Sequence, residues 1–154
     1  MINLVEFVVI KAPRDRVFAL YADYRGWPRL FGATIRGARL LQEQGNSKTI
    51  QVDHREGKGT NIMVLYPPRE IRLTEFKRRY DAHFLNRFDR DPGGTRYSVV
   101  AHVNIKPPFS LLGRLLVPLV RSRIRRFILE PMKRAAEPSA AGHWVGTPSH
   151  GCRA

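Results

Sequence analysis

Four polar side chains interrupt the apolar face of successive predicted strands, and their types suit acid–base chemistry. They are His54, Tyr66, Glu75 and Tyr97. Each shares the alternation parity of the apolar residues in its own strand, so all four are predicted to point to one face of a sheet. A histidine or a glutamate can act as a base toward a carbon acid, and a tyrosine hydroxyl can stabilise the oxyanion that forms. His54 or Glu75 is the candidate base, and Tyr66 or Tyr97 the candidate donor.

A structural interpretation stands beside each of these assignments. His54 lies in "DHRE" near a strand end, where a histidine is commonly satisfied by its neighbours. Glu75 can pair with Arg72 or Lys77 at a sheet edge, and Asn86 can simply bond the backbone. Tyrosine hydroxyls that reach the rim of a core are also routine. A strand shifted by one residue would turn any of these side chains outward.

Other kinds of catalytic site lack their sequence signatures. His54, His83 and His102 lie on separate predicted strands without HxH or HExxH spacing, and no serine has a GxSxG context. The segment "EGKGTN" is too short for a phosphate-binding loop and lies between strands. The single cysteine, Cys152, allows neither an internal disulfide nor a thiolate metal site. We therefore expect no metal and no cofactor.

The elements that must position these residues follow a simple order. "NLVEFVVIKAP" predicts a strand that ends at Pro13, and "PRDRVFALYAD" and "YRGWPRLF" predict two short helices. Six strands with short connections follow, which predicts an antiparallel meander, and "DPGG" is the strongest hairpin signal. The strands are predicted at "TIRGARLLQEQ", "KTIQVDHRE", "TNIMVLYP", "REIRLTEFKR", "YDAHFLNRFDR" and "TRYSVVAHVNI".

The segment "FSLLGRLLVPLVRSRIRRFILEPMKRAAE" returns to a helical period. Apolar residues recur every four positions, and Pro118 divides a short entry helix from a long one. The long helix is the only predicted element that can cover the concave face of a curved sheet, and the space between them would be a ligand cavity. The fold class is therefore α+β, with one domain over residues 1–137 and a disordered tail over 138–154. The recurring residues are Leu112, Leu116, Val120, Ile124 and Ile128.

Three stretches carry a resemblance to a known family. They are "IKAPRDRVFALYADYRGWPRLF", "DPGGTRYSVV" and "LLGRLLVPLVRSRIRR". In these, and in the order of elements over about residues 3 to 136, the chain resembles the START and Bet v 1 helix-grip proteins, in particular the bacterial polyketide cyclase/dehydrase and lipid-transport branch. The resemblance implies a seven-stranded sheet wrapped around the C-terminal helix and a hydrophobic cavity for a lipid, polyketide, quinone or sterol-like molecule.

The predicted pocket is lined by the apolar face of the strands, by the C-terminal helix and by the "WP" motif. Trp27 and Phe31 are candidates for a pocket lip, although each can equally be core. The predicted lining is Trp27, Phe31, Val52, Val64, Leu73, Phe84, Asn86, Phe88, Val99, Leu116 and Val120.

The resemblance does not by itself imply catalysis. Aldol-type cyclisation or dehydration is the reaction to expect of an enzyme of this family, but the chain departs from the family's aromatase/cyclases at two points. Those enzymes carry an arginine on the strand that corresponds to "NIMVLYPP" and a tyrosine soon after the "WP" and Phe motif; neither is present here. The departure favours ligand binding alone. Three functions stay open: a polyketide cyclase-like protein for an aromatic or polyketide-derived ligand, a non-catalytic lipid or quinone carrier, and a filled domain with a structural or protein-binding role.

The charge of the chain implies an anionic partner. Lys and Arg total 27 against 13 Asp and Glu, a formal net charge of +14. Arg121, Arg125 and Arg126 on the C-terminal helix could meet an anionic membrane surface or an acidic acyl carrier protein, or form an ordinary solvated face. Nucleic acid ranks last because no recognition module is present. Without a signal peptide or an apolar run of about 20 residues, a cytoplasmic location is expected.

Overall fold

The computed structural model describes residues 1–138, in which seven antiparallel strands form one sheet. Their spatial order is β1-β7-β6-β5-β4-β3-β2, so the first two strands of the chain form the two edges. This arrangement confirms the predicted α+β helix-grip fold. The strands are β1 (Ile2–Ile10), β2 (Ile35–Gln44), β3 (Ser47–His54), β4 (Gly57–Tyr66), β5 (Glu70–Phe76), β6 (Tyr80–Asp91) and β7 (Gly94–Ile105).

Two short helices connect the edge strands β1 and β2. They are α1 (Arg14–Ala22) and α2 (Trp27–Leu30), with a 3-10 turn at Tyr24–Gly26 between them. Asp23 accepts a hydrogen bond from the backbone N–H of Arg25, which satisfies one of the free donors at the start of that turn. The two short helices predicted after β1 are therefore confirmed.

The hairpin between β6 and β7 depends on one glycine. Gly94 has φ +128°, and an added Cβ would lie 2.3 Å from the backbone oxygen of Ile10. Only glycine fits this close approach of β7 to the end of β1. The "DPGG" signal therefore marks both a turn and the contact that closes this corner of the sheet.

The register of β4 differs from the sequence prediction. Asn61 and Met63 are buried on the face that the C-terminal helix covers, which we call the concave face, whereas Val64 and Tyr66 lie on the opposite, convex face. Alternation could not decide this, because Ile62 to Leu65 is an unbroken apolar run. The pairing of Met63 with Leu73 of β5 does decide it, since a shift by one residue reverses every side chain of a strand.

The C-terminal helix is continuous but irregular. A 3-10 segment (Phe109–Leu116) leads into α3 (Val117–Ile124), a π-helical turn (Arg125–Leu129) and α4 (Glu130–Ala136). Pro118 stands in the first turn of α3, as predicted. Pro131 lacks an N–H, and its ring crowds the carbonyl of the preceding turn, which the wider π-helical turn accommodates.

The stretch "YADYRGWPRLF" supplies one end of the core. Trp27 is 1% exposed, and its indole Nε1 donates to the backbone oxygen of Tyr21 at 2.8 Å. The ring of Tyr21 packs edge-on against Trp27 and Phe31 at 5.9 Å, beside Phe88 and Tyr97, which stack at 5.1 Å. This aromatic cluster therefore lies between the short helices and the β6–β7 hairpin.

The predicted disordered tail lies outside the described residues except for Pro138. Within residues 1–138, every helix is too short or too polar to cross a bilayer.

Candidate functional site

A buried histidine–glutamate pair lies on the concave face. Nε2 of His54, at the end of β3, is 2.9 Å from Oε1 of Glu75 on β5, and both side chains are about nine-tenths buried. The Nε2–H direction is not well aligned with the carboxylate, so the contact is an electrostatic one with a bent hydrogen bond. Two residues that the sequence singled out as candidate bases are thus brought together.

Gly59 lies directly beside this contact. It lies on β4, the strand between β3 and β5, opposite Val52 of β3. A Cβ at Gly59 would lie 3.7 Å from Cδ2 of His54 and 3.3 Å from the backbone oxygen of Phe76. A methyl group at this position would touch the imidazole and crowd the backbone of Phe76, and a larger side chain would obstruct the path of the imidazole across β4 to Glu75.

Two further residues hold the carboxylate of Glu75. Nζ of Lys77 lies 3.1 Å from Oε1, and the hydroxyl of Tyr80 donates to Oε2 at 3.4 Å. Burial raises the pKa of Glu75, but the contacts with His54 and with the ammonium of Lys77 outweigh it and hold the pKa below its ordinary value. Burial, with the charge of Glu75 beside it, raises the pKa of Tyr80. The site therefore holds an ionised carboxylate next to a protonated phenol at neutral pH.

Arg123 connects the C-terminal helix to this end of the sheet. Its Nη2 donates to Oε1 of Glu56, in the β3–β4 turn, at 2.7 Å. That hydrogen bond lowers the pKa of Glu56, and it outweighs burial, which raises the pKa by less. This ion pair brings the helix close to the end of the sheet that carries the His54–Glu75 pair. It is exposed to solvent, and exposed ion pairs contribute little stability.

A second polar group lies deeper on the concave face. The hydroxyl of Tyr97 donates to Oδ1 of Asn86 at 2.7 Å, and Nδ2 of Asn86 donates to the backbone oxygen of Ile71 at 3.3 Å. Burial raises the pKa of Tyr21 and of Tyr97, so both phenols stay protonated. Asn86 and Tyr97 therefore satisfy each other within the core.

Asn61 is a polar residue that the sequence reasoning missed. It is 2% exposed on the concave face and pairs with Glu75 across β4 and β5. Its side-chain oxygen has no hydrogen-bond partner within residues 1–138. The incorrect register of β4 placed Asn61 outside, although a lone asparagine beside an apolar run was a visible signal. A buried acceptor without a donor is costly unless a ligand or water satisfies it.

Tyr66 and Val64 do not belong to this site. Tyr66 is 41% exposed on the convex face, where the guanidinium of Arg72 lies 4.9 Å from its ring centroid. Val64 pairs with Arg72 on the same face. Both residues were predicted to face the pocket, and the register of β4 turns them to the convex face instead. The other predicted residues lie on the concave face, in the aromatic cluster or on the covering helix, namely His54, Glu75, Tyr97, Trp27, Phe31, Val52, Leu73, Phe84, Asn86, Phe88, Val99, Leu116 and Val120.

Three predicted pocket residues at the concave face are only partly buried. Phe84 lies between Leu73 and Ala101 on the concave face but remains partly accessible, as do Leu116 and Val120 of the covering segment. Two depressions within residues 1–138 are open to solvent. One runs along the C-terminal helix from Pro118 to Glu130, and the other lies beside Gly59.

The basic residues of the C-terminal helix are only partly free. Glu6 of β1 is 4% exposed and accepts ion pairs from Arg121, at 2.7 Å, and from Arg125. Of the predicted docking residues Arg121, Arg125 and Arg126, the first two thus pair with a buried carboxylate, although both of their side chains remain more than half exposed.

Solved structures share this fold at low sequence identity. The Zhui aromatase/cyclase from Streptomyces sp. R1128 superposes with a TM-score of 0.78 at 16% identity, covering 92% of this chain and 98% of that one. A START superfamily protein from Mycobacterium smegmatis gives 0.69 at 15% identity, covering 87% and 96%.

The di-domain aromatase/cyclase BexL from the BE-7585A biosynthetic pathway gives 0.75 at 17% identity, covering 90% of this chain and 50% of that one. The chain thus spans half the length of this di-domain protein. No protein with a curated description matches the sequence. The sequence pattern of one family matches residues 1–137, and the chain therefore belongs to the polyketide cyclase / dehydrase and lipid transport family.

Proposed function

We propose that the protein binds a hydrophobic, aromatic or polyketide-derived molecule between the concave face and the C-terminal helix, and promotes its cyclisation or dehydration. The observation that carries this proposal is the buried His54–Glu75 pair, which lies with Asn61, Lys77 and Tyr80 at one end of the apolar concave face. A small set of convergent polar groups in an apolar site is typical of ligand recognition. The family to which the chain belongs supports the same class of ligand.

His54 is the proposed base. Glu75 is ionised at neutral pH and lies next to Nε2, so it favours the tautomer that carries its proton there and leaves the lone pair on Nδ1. Nδ1 takes a proton from a carbon next to a carbonyl, and the electron pair of the C–H bond moves into the enolate. The resulting imidazolium is stabilised by Glu75, as in other carboxylate–histidine pairs.

Tyr80 is the proposed donor to the enolate oxygen. Its phenol is protonated and its hydrogen bond to Glu75 is long, at 3.4 Å, so it can turn to a developing oxyanion. In ring closure, the enolate carbon forms the new C–C bond to a second carbonyl, whose oxygen takes the proton back from His54. In dehydration, the C–O bond breaks and the hydroxyl leaves as water with that proton.

Space for the ligand comes from the entry segment of the C-terminal helix. None of the residues of Phe109–Leu116 is buried, so the segment can move away from the sheet at little cost in core packing. The apolar groups that such a movement would uncover are those already partly accessible, among them Phe84 and Val120.

A non-catalytic carrier of a lipid or quinone is the second candidate. It is favoured by the deeper polar group, because the Tyr97 hydroxyl already donates to Asn86 and is not free to donate to a reacting carbonyl. In a carrier, the His54–Glu75 pair would only orient the bound molecule. Substitutions there would then change affinity but no chemical step.

Incubation with a synthetic oligoketide thioester, followed by mass spectrometry of the products, tests the catalytic proposal. We expect His54→Ala and Glu75→Gln to lower the rate of ring closure by about 100-fold, as for loss of a general base. His83→Ala and Tyr66→Phe are matched controls, because neither side chain lies on the concave face, and they should leave the rate unchanged. Binding without turnover by the wild type, with His54→Ala and Glu75→Gln changing only the affinity, would support the carrier instead. Failure to bind any apolar ligand would overturn both.

A further inference from the structure

An exposed apolar segment leads into the C-terminal helix. Leu111 is 94% exposed and Leu115 77%, while Phe109, Leu112 and Leu119 are each about half exposed. We call residues 109–119 the apolar tip. Apolar side chains that are scattered singly need no explanation, but a contiguous group marks a surface that another apolar phase covers.

Two arginines at the apolar tip, Arg79 and Arg114, have no ion pair within residues 1–138, whereas the neighbouring Lys106 pairs with Asp81. No Asp or Glu occurs between Asp91 and Glu130, and Arg114 lies within the tip itself. The β5–β6 turn lies against the tip: the guanidinium of Arg79 is 5.9 Å from the ring centroid of Phe109. The tip is therefore apolar at its centre and positively charged at its rim.

We propose that the apolar tip docks on the surface of an anionic lipid bilayer. The leucines would enter the boundary between headgroups and acyl chains, and Arg79 and Arg114 would pair with lipid phosphates. This docking goes beyond the proposed function and would hold whatever molecule the concave face binds. It also assigns membrane contact to a different surface from the helix face of Arg121 and Arg125.

The chemistry of the tip fits a bilayer better than a folded protein partner. Protein interfaces concentrate their binding energy in Tyr, Trp and Arg, whereas leucine is under-represented among those residues. Within residues 109–119 the only uncharged polar side chain is Ser110, so a partner's polar groups would find few hydrogen-bonding side chains. A bilayer requires only apolar insertion and cations at the depth of the phosphates.

The position of the tip gives docking a consequence for the concave face. Tyr80 follows Arg79 directly, and Nζ of Lys106 donates to the backbone oxygen of Lys77 at 2.8 Å. The tip and the His54–Glu75 pair therefore lie at the same end of the sheet. A docked protein would present this end to the lipid, where hydrophobic molecules dissolve.

Flotation with vesicles of phosphatidylcholine, with and without phosphatidylglycerol, tests the proposal on the full chain. We expect binding to the anionic vesicles only. The double variant Leu111→Ser/Leu115→Ser should weaken that binding by at least about tenfold, given the apolar area removed. Since both side chains are exposed, the variant should fold normally. The matched control Val5→Thr/Leu41→Ser alters two exposed apolar residues on the sheet and should bind like the wild type.

A charge series separates docking by the tip from general attraction of a basic protein. Arg79→Gln/Arg114→Gln should weaken binding by about fivefold per arginine. Arg36→Gln/Arg90→Gln removes the same charge from exposed positions outside the tip and should have a smaller effect. Equal effects of the two pairs, or wild-type binding by the leucine variant, would overturn the proposal. So would a dimer in light scattering that the leucine variant abolishes while vesicles bind neither form.

Discussion

Nε2 of His54 and Oε1 of Glu75 lie 2.9 Å apart although their strands are separated by a third one. Strands that are next but one to each other lie roughly 10 Å apart, which two side chains can bridge only over an unobstructed position. Gly59 is that position, since a Cβ there would already touch the imidazole at 3.7 Å. We therefore expect the geometry of the pair to be sensitive to a large side chain at residue 59.

Gly59→Val should separate the pair. A branched side chain would meet the backbone oxygen of Phe76 and the imidazole of His54, and we expect a loss of about 1–3 kcal/mol in the free energy of unfolding. Gly37→Val, on β2, is the matched control, since a Cβ there would meet only Cβ of Asp53, at 3.9 Å, and the cost should be smaller. Urea denaturation of both variants measures the difference. Equal costs would show that Gly59 has no special role.

Glu75→Gln should remove a pH-dependent part of the stability. The pKa of Glu75 is lower in the folded state than its ordinary value of 4.5, so the stabilisation is fully present above that value. It is lost as the pH falls from 4.5 through the folded pKa. The variant should therefore be less stable by about 2 kcal/mol at neutral pH, a value typical of hydrogen bonds to charged groups.

Urea denaturation at neutral pH and at about pH 3 checks this prediction, because the gap between wild type and variant should narrow in acid. Glu43→Gln is a suitable control, since its carboxylate pairs with Lys48 at the surface. A gap that stays constant with pH would contradict the assignment.

Tyr97→Phe should cost more than Tyr66→Phe, although both changes remove one hydroxyl. The Tyr97 hydroxyl is buried and donates to Asn86 at 2.7 Å, so its loss leaves Oδ1 of Asn86 without that donor and should cost about 1–3 kcal/mol. Tyr66 is exposed on the convex face, and its change should stay within about 0.5 kcal/mol. Urea denaturation compares the two variants by their unfolding midpoints, provided that the dependence of the unfolding free energy on denaturant is the same for both. A larger effect at Tyr66 would refute the register of β4.

The ion pairs of Glu6 should respond asymmetrically to substitution. Arg121→Ala/Arg125→Ala leaves a buried carboxylate without a cation and should destabilise the fold by about 3 kcal/mol. Glu6→Gln leaves two arginines that are already exposed to water and should cost less. Thermal unfolding in low and high salt measures both. If Glu6→Gln proved the more damaging, the carboxylate would have to serve another purpose.

The sequence by itself determined the order and type of the elements. Alternation of apolar residues and local breakers such as Pro13 and Gly94 are short-range signals, so seven strands, two short helices and a C-terminal helix beginning near Pro118 were predictable. The same alternation brought His54, Glu75, Asn86 and Tyr97 to one face, because their strands have a clear apolar parity.

Only the tertiary structure decided which side chains meet. The apolar run from Ile62 to Leu65 looks the same on both faces, so pairing with β5 had to place Asn61 inside and Tyr66 outside. A helical wheel shows that Arg121 is polar, but not that the buried carboxylate of Glu6 lies within its reach. Apolar composition predicts burial for Leu111, yet no element of the described chain covers it. Contacts between distant parts of the chain depend on the packing of the whole fold, and local sequence patterns do not encode that packing.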